Sequence, residues 1–232
     1  MVAEMLRNIT YSTAGKVILA TAAPVQRLLQ RHSQTHDFCN LQAKHILHND
    51  GYCDYAHILN KFLNHLNRGV KWADEGLRNT AHFYQPVLRK GLPGCRDARL
   101  ECEYHWQKAL KSWRIGKYER AFFYLGAAVH LVQDLCVPHH AKGTLLDGHQ
   151  DYEDWAEANS HKYPVWDGGI YDLGQHRFAW VQSNAELAKG FMSLVSSGAS
   201  QVDYNRATLV LLPQAQRTTA GFIAYFLKSI GI

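Results

Sequence analysis

Histidine is the residue type this chain uses to excess. There are fourteen in 232 residues, against six prolines, and histidine is both the commonest metal ligand and a pH-sensitive group. The densest arrangement lies in residues 118 to 157. His130 and Asp134 are four apart in the apolar run AFFYLGAAVHLVQDL. Pro138 ends that run, His140 follows at once, and His149 and Glu153 are again four apart. Side chains at i and i+4 leave a helix on one face. Two such pairs with a histidine between them form a set of nitrogen and oxygen donors, which zinc accepts. A carboxylate in a run as apolar as that around Asp134 is costly to bury unless it is paired or metal-bound. The pattern predicts a polynuclear zinc site in a helical protein.

The elements that must position these residues read as helices. Residues 35 to 49, which include His36, place Phe38, Leu41, Ile46 and Leu47 in one apolar stripe, with Thr35 or Asp37 as cap. Residues 54 to 67 form a second amphipathic helix, ending at Gly69. The stretch 72 to 86 has no clean period and reads as an irregular loop carrying Asp74, Glu75 and His82. A loop rich in Gly and Pro covers 91 to 99. Helices are expected at 100 to 113, 118 to 136 and 177 to 195, with a loop over 161 to 176 and a polar stretch at 197 to 204. The final helix is expected from about Pro213, since a first turn tolerates proline, to Ser229. No repeat, low-complexity tract or strand ladder is present. The expected fold is all-α, a single multi-helix domain of roughly seven or eight helices with the zinc site in a cleft between them. Residues 1 to 34 read as an N-terminal extension or a processed segment, and 35 to 232 as the helical domain.

At this length the chain can bury a full core. The formal charge of +5 permits an anionic partner and names none. The five cysteines form no CxxC pair, and an odd count argues against a fully paired disulfide framework. Spacing would let Cys95 and Cys102 bridge a loop, while Cys136 reads as a buried small hydrophobe. No run is long enough for a transmembrane helix. Residues 16 to 22 resemble a weak signal-peptide end, although an ordinary N-terminal helix is the better reading. His45, His48, His57, His65, His105, His161 and His176 read as ordinary core or surface residues.

The motifs, taken in order along the chain, resemble the zinc-dependent phospholipase C family of bacteria and its relatives, the single-strand-specific zinc nucleases. THDFCNLQAKHILHND is similar to the family's first ligand helix, and WAD with HFYQP to its Asp and His loop. HLVQDLCVPHH matches the central HxxxDxxxPxH motif, and HQDYE matches the HxxxE helix. AQRTTAGFIAYF resembles the closing helix. The resemblance implies two to three zinc ions. Asp74, His82, His130 and Asp134 would hold one, and His140, His149 and Glu153 a second. His36 and a bridging Asp134 would hold part of a third, which the family completes with a processed N-terminal residue. Counting back from His36 lands on Ala23 to Gln26, where the family's usual Trp is absent. A cut after Ala22 would free an amine at a suitable spacing, and His32 is the nearest alternative group.

The implied activity is hydrolysis of phospholipids to diacylglycerol and a phosphorylated headgroup, with Asp74 also acting on the attacking water. Choline-specific members carry aromatic residues at the positions of Glu75 and Asn79, the candidate substrate contacts here, so phosphocholine selectivity does not follow. The nuclease branch has an inserted Gly-Gly-Asn and a final Asp ligand. GTLLDGHQDYE has neither, which favours the phospholipase branch. The expected partner is phospholipid with transient membrane-surface contact, and no stable nucleic-acid partner. Trp166 and Tyr171 read equally as membrane-facing or as packed loop residues. The chain ends at the closing helix, so no appended membrane-docking domain is expected. Family resemblance places the protein outside the cell or in its envelope. The alternatives are a single-strand nuclease and a non-catalytic protein that zinc stabilises.

Overall fold

The computed structural model describes residues 34 to 174 and 176 to 232. The signal-like stretch, His32 and the counted-back segment lie outside the described residues. Among the described residues eight α-helices follow in order: α1 Gln34–Asn49, α2 Cys53–Asp74, α3 Ala98–Arg114, α4 Tyr118–Asp134, α5 Pro138–Lys142, α6 His149–Asn159, α7 Ala179–Ala188 and α8 Gln201–Ser229. Short 3₁₀ helices occupy Gly76–Ala81, Ser160–Lys162 and Lys189–Leu194. Among the described residues there is no strand, only an isolated antiparallel bridge between Gln85 and Lys90. The fold is the all-α arrangement expected.

Helix α4 is the axis. Every residue from Leu125 to Asp134 is buried, as befits a helix apolar on all sides. It packs most extensively on α2 and α3. Two glycines let α2 and α4 approach. A Cβ on Gly69 would stand 1.8 Å from the Phe123 carbonyl oxygen, and one on Gly126 would stand 2.0 Å from that of Leu66. No side chain fits at either crossing point, so Gly69 lies inside α2 as a packing residue rather than ending it. The helix runs on to Asp74 and thereby brings a ligand candidate to its last turn.

Around this axis Trp106, Phe222, Phe226 and Trp180 form an aromatic core that ties α3, α7 and α8 together. Asp97 caps α3 by accepting from the backbone N–H groups of Arg99 and Leu100. Helix α8 starts twelve residues earlier than expected. Ser200 and Asp203 form a capping box at its start, and Pro213 sits in its interior. The carbonyl which proline leaves unbonded is that of Leu209, whose side chain is exposed. All five cysteines are free, with Cys102 and Cys136 buried. Cys95 and Cys102 are therefore not bridged, and Cys136 is the buried small residue expected.

Candidate metal centre

Each ligand candidate is delivered by a local device. Asp74 is the last residue of α2, and the turn after it is held by Arg78, whose Nε donates to the Trp72 carbonyl at 2.6 Å. The guanidinium also lies over the Trp72 ring at 4.3 Å. The following 3₁₀ helix ends where His82 begins, so the stretch expected to be irregular is mostly a helix end and a 3₁₀ turn. His130 and Asp134 share one face of α4. Asn184 donates to the carbonyl of Val132 at 2.7 Å and fixes the end of that helix. Pro138 then opens α5 at its first position, which suits its fixed φ and missing N–H. His140 is carried back towards Asp134, and its carbonyl accepts from Tyr84 N–H at 3.1 Å. The chain turns through Asp147 (φ 67) and Gly148 (φ 83) so that His149 starts α6. At Gly148 a Cβ would meet Ser197 N at 2.8 Å.

These devices bring all eight candidates together. His82 Nδ1 and His130 Nε2 stand 2.8 and 3.1 Å from Asp134 Oδ2, and His36 Nε2 stands 3.4 Å from Oδ1. His140 Nε2 is 3.9 Å from Asp134 Oδ2 and 3.4 Å from Glu153 Oε1. His149 Nε2 is 2.9 Å from that same oxygen. Asp74 Oδ1 lies 3.9 Å from His130 Nε2. Three sets have donor atoms mutually within 4.8 Å: His36, His130 and Asp134; Asp74, His82 and His130; His140, His149 and Glu153. All of the candidates except His130 border a pocket of about 110 Å³ that also touches Thr35, Cys39, Tyr152, Leu211 and Leu212. Asn79 is on its wall. Glu75 is exposed at the end of α2, with its carboxylate 3.1 Å from Arg78.

The donor set fits zinc on its own chemistry. His130 Nε2 and His82 Nδ1 face each other at 3.1 Å, and both face one carboxylate oxygen. Ring nitrogens converging in this way need a shared cation or a proton between them. Burial drives His130 towards the neutral form, down to about 3, so a proton is held poorly there. Burial also opposes ionisation of Asp134, but the imidazoles of His130 and His140 beside it, with hydrogen bonds from His130 and His82, hold it well below the usual carboxylate range. Glu153 is likewise held down against burial, chiefly by the charge of His149. Zinc binds neutral imidazoles and ionised carboxylates; against burial, Asp134 pushes His82 up and Glu153 pushes His149 up, so a metal there would displace the protons that these carboxylates favour. Asp74 differs, because burial, only partly offset by the charge of His82, pushes its carboxyl up to about 6.

Two neighbours of the ligands escaped the sequence reading. His139 stacks on His149 with ring centroids 4.6 Å apart, and its Nε2 donates to the Asp147 carbonyl at 3.0 Å. Gln133 meets His36 at 2.8 Å. A glutamine inside an apolar run, beside Asp134, was the available signal for the second. Nothing in the spacing marked the first apart from its neighbour His140. Trp166 is exposed, with its ring 5.3 Å from that of His45. Tyr171 is half-buried and donates to Asp50 at 2.6 Å, so of the two readings open for it the packed one holds.

An all-helical fold with clustered histidine and carboxylate donors defines a helical metalloprotein. The comparisons with known proteins narrow the class. The profile of the zinc dependent phospholipase C family matches residues 35–205. A phospholipase C of Listeria monocytogenes is 26% identical over 226 residues, covering 84% of this chain and 77% of that protein. One from Bacillus cereus is 27% identical over 209 residues, covering 77% and 74%. One from Clostridium perfringens is 32% identical over 136 residues, covering 51% of this chain and 34% of that protein. Among solved structures, the alpha toxin from Clostridium absonum superposes with a TM-score of 0.72 at 24% identity, over 86% of this chain and 64% of the toxin, a likeness of fold. The chain thus spans about a third of the C. perfringens relative and under two thirds of the toxin. The chain belongs to the zinc-dependent phospholipase C family. That family is one of zinc-dependent hydrolases, and its membership supports phospholipase C activity here.

Proposed function

We propose that the protein hydrolyses phospholipids at the phosphodiester bond on the glycerol side, at the pocket where its candidate ligands converge. The observation that carries this reading is the convergence of four imidazoles and three carboxylates on one pocket wall, with a fifth imidazole, His130, buried behind them within reach of the same donors. The residues suit two to three zinc ions. His140, His149 and Glu153 would hold one, Asp74, His82, His130 and Asp134 another, and His36 with Asp134 part of a third. Bound zinc supplies Lewis acidity that makes water nucleophilic near neutral pH and draws phosphoryl oxygens to it. Asp74, with its carboxyl raised towards neutrality, would orient the attacking water and take its proton. Water's oxygen joins phosphorus and the glycerol oxygen leaves with a proton, giving diacylglycerol and a phosphorylated headgroup. Asp134 and Glu153 would supply the negative charge needed to hold neighbouring dications close to one another.

The pocket serves as the substrate cleft in this reading, with Asn79 on its wall as a headgroup contact. Glu75 points to Arg78 and enters only if that pair opens. Contact with a membrane surface is transient, with Trp166 the exposed aromatic candidate, and the site of action is outside the cell or in its envelope. Among the described residues no helix is long and apolar enough to cross a membrane. The nuclease alternative is not better supported by the relatives found. The test is zinc content per chain, with assays on phosphatidylcholine, other phospholipids and single-stranded DNA. The expected result is zinc-dependent release of phosphorylated headgroup. Cleavage of DNA with no lipid hydrolysis would overturn the reading.

A further inference from the structure

We infer that Gln133 is a positioning residue that locks His36 in the one tautomer able to bind a metal at the shared site. The inference rests on reading His36 as a zinc ligand. Gln133 is 3% exposed, on the last turn of α4, directly before Asp134. Its side-chain oxygen lies 2.8 Å from His36 Nδ1. Its amide nitrogen donates to Asn40 Oδ1 at 2.9 Å and to Thr219 Oγ1 at 3.0 Å.

The orientation of that amide follows from a fixed point. Thr219 Oγ1 stands 2.6 Å from the carbonyl of Ala215, and a carbonyl can only accept, so the threonine proton is committed there. Towards Gln133 the hydroxyl is left with lone pairs, so the group facing it must be the amide N–H₂. Asn40 agrees. Its own amide donates to Asn67 Oδ1 at 2.9 Å, which turns its oxygen to Gln133. The Gln133 oxygen is thereby left facing His36, and it too can only accept. His36 Nδ1 must carry the proton, and Nε2, 3.4 Å from Asp134 Oδ1, presents its lone pair to the cluster. A ligating histidine whose other nitrogen donates to a fixed acceptor has its ring orientation set and its basicity raised. The network joins α1, α2, α4 and α8, so packing of four helices is converted into the tautomer of one ring.

The test uses the whole chain, measured both zinc-free and zinc-loaded. Imidazole nitrogen shifts of His36 in the zinc-free protein are expected to report Nδ1–H, whereas an Nε2–H ring in the wild type would overturn the inference. Gln133→Met keeps volume and removes the acceptor. It is expected to weaken the most loosely held zinc by about 10–100-fold in a competition titration, with the remaining zinc unchanged. Gln133→Glu keeps an acceptor for Nδ1–H and is expected to retain that zinc. Thr219→Val removes the fixed point for the amide nitrogen and is expected to weaken that zinc by less than Gln133→Met does, because Asn40 still accepts from the amide. Wild-type zinc affinity in Gln133→Met would overturn the inference while leaving the proposed hydrolase standing. A wild-type protein that binds no zinc would overturn both. If Gln133→Met fails to fold, the wild-type shifts and the glutamate variant decide.

Discussion

The two halves of the metal centre are built in different ways. His140, His149 and Glu153 come from one short stretch, α5 and the start of α6, and a turn through Asp147 and Gly148 suffices to join them. His36, Asp74, His82, His130 and Asp134 come from α1, the end of α2, the 3₁₀ turn after it and α4. The first half depends on local chain geometry. The second exists only because α2 and α4 cross at Gly69 and Gly126, and because Asn40, Gln133 and Thr219 tie α1 and α8 to α4. The difference teaches that a local ligand set can tolerate loss of helix packing, whereas a set gathered from distant elements fails with it.

Asp134 joins the halves, since it receives His82, His130 and His36 and also stands near His140. Asp134→Asn is expected to have the largest effect. Activity should fall to assay background, and zinc content should drop to what the local set holds, as read by metal analysis. A fully active variant would mean that Asp134 bridges nothing.

Gly126→Ala comes next. Its Cβ would meet the Leu66 carbonyl at 2.0 Å, and backbone has little freedom to yield. A destabilisation of about 3 kcal/mol or more is expected, read as a lower denaturant midpoint, with zinc lost first from the gathered set. Equal loss from both sets would break the comparison.

Glu153→Gln should act in the opposite sense. An amide in place of the carboxylate facing His140 and His149 should empty the local set and leave the gathered one loaded, with denaturant stability of the metal-free chain little changed. Metal analysis of this variant beside Gly126→Ala sharpens the contrast most.

His139→Phe is expected to have the smallest effect. It keeps the ring against His149 but loses the bond to the Asp147 carbonyl. A loss of about 1 kcal/mol is expected, with zinc affinity of the local set reduced by at most about tenfold. No change in the gathered set should accompany it.

This contrast also explains what was legible in the sequence. The i, i+4 pairs His130/Asp134 and His149/Glu153 are local facts, and the sequence shows them together with the proline that turns His140 towards them. The membership of His36, Asp74 and His82 came from resemblance to a family, because no spacing in one chain reveals which distant helices meet. Helix ends misled where packing overrode local signals. Gly69 looked like a terminator and is instead a contact point between helices. Pro213 looked like a helix start, but the capping box at Ser200 and the burial of Tyr204, Ala207 and Leu211 carry α8 through it. Gln133 was in plain view, yet its role depends on Thr219 and Asn40, which only the folded chain places beside it.

The central claim is that the converging histidines and carboxylates form one zinc centre for phosphodiester hydrolysis. Its most direct test is to strip metal from the full chain with a chelator, assay phospholipid vesicles, and then add zinc back in measured steps. The account predicts that hydrolysis disappears with the metal and returns in step with zinc, with diacylglycerol and phosphorylated headgroup as products. Hydrolysis that persists in the stripped protein, or that no amount of zinc restores, would contradict it.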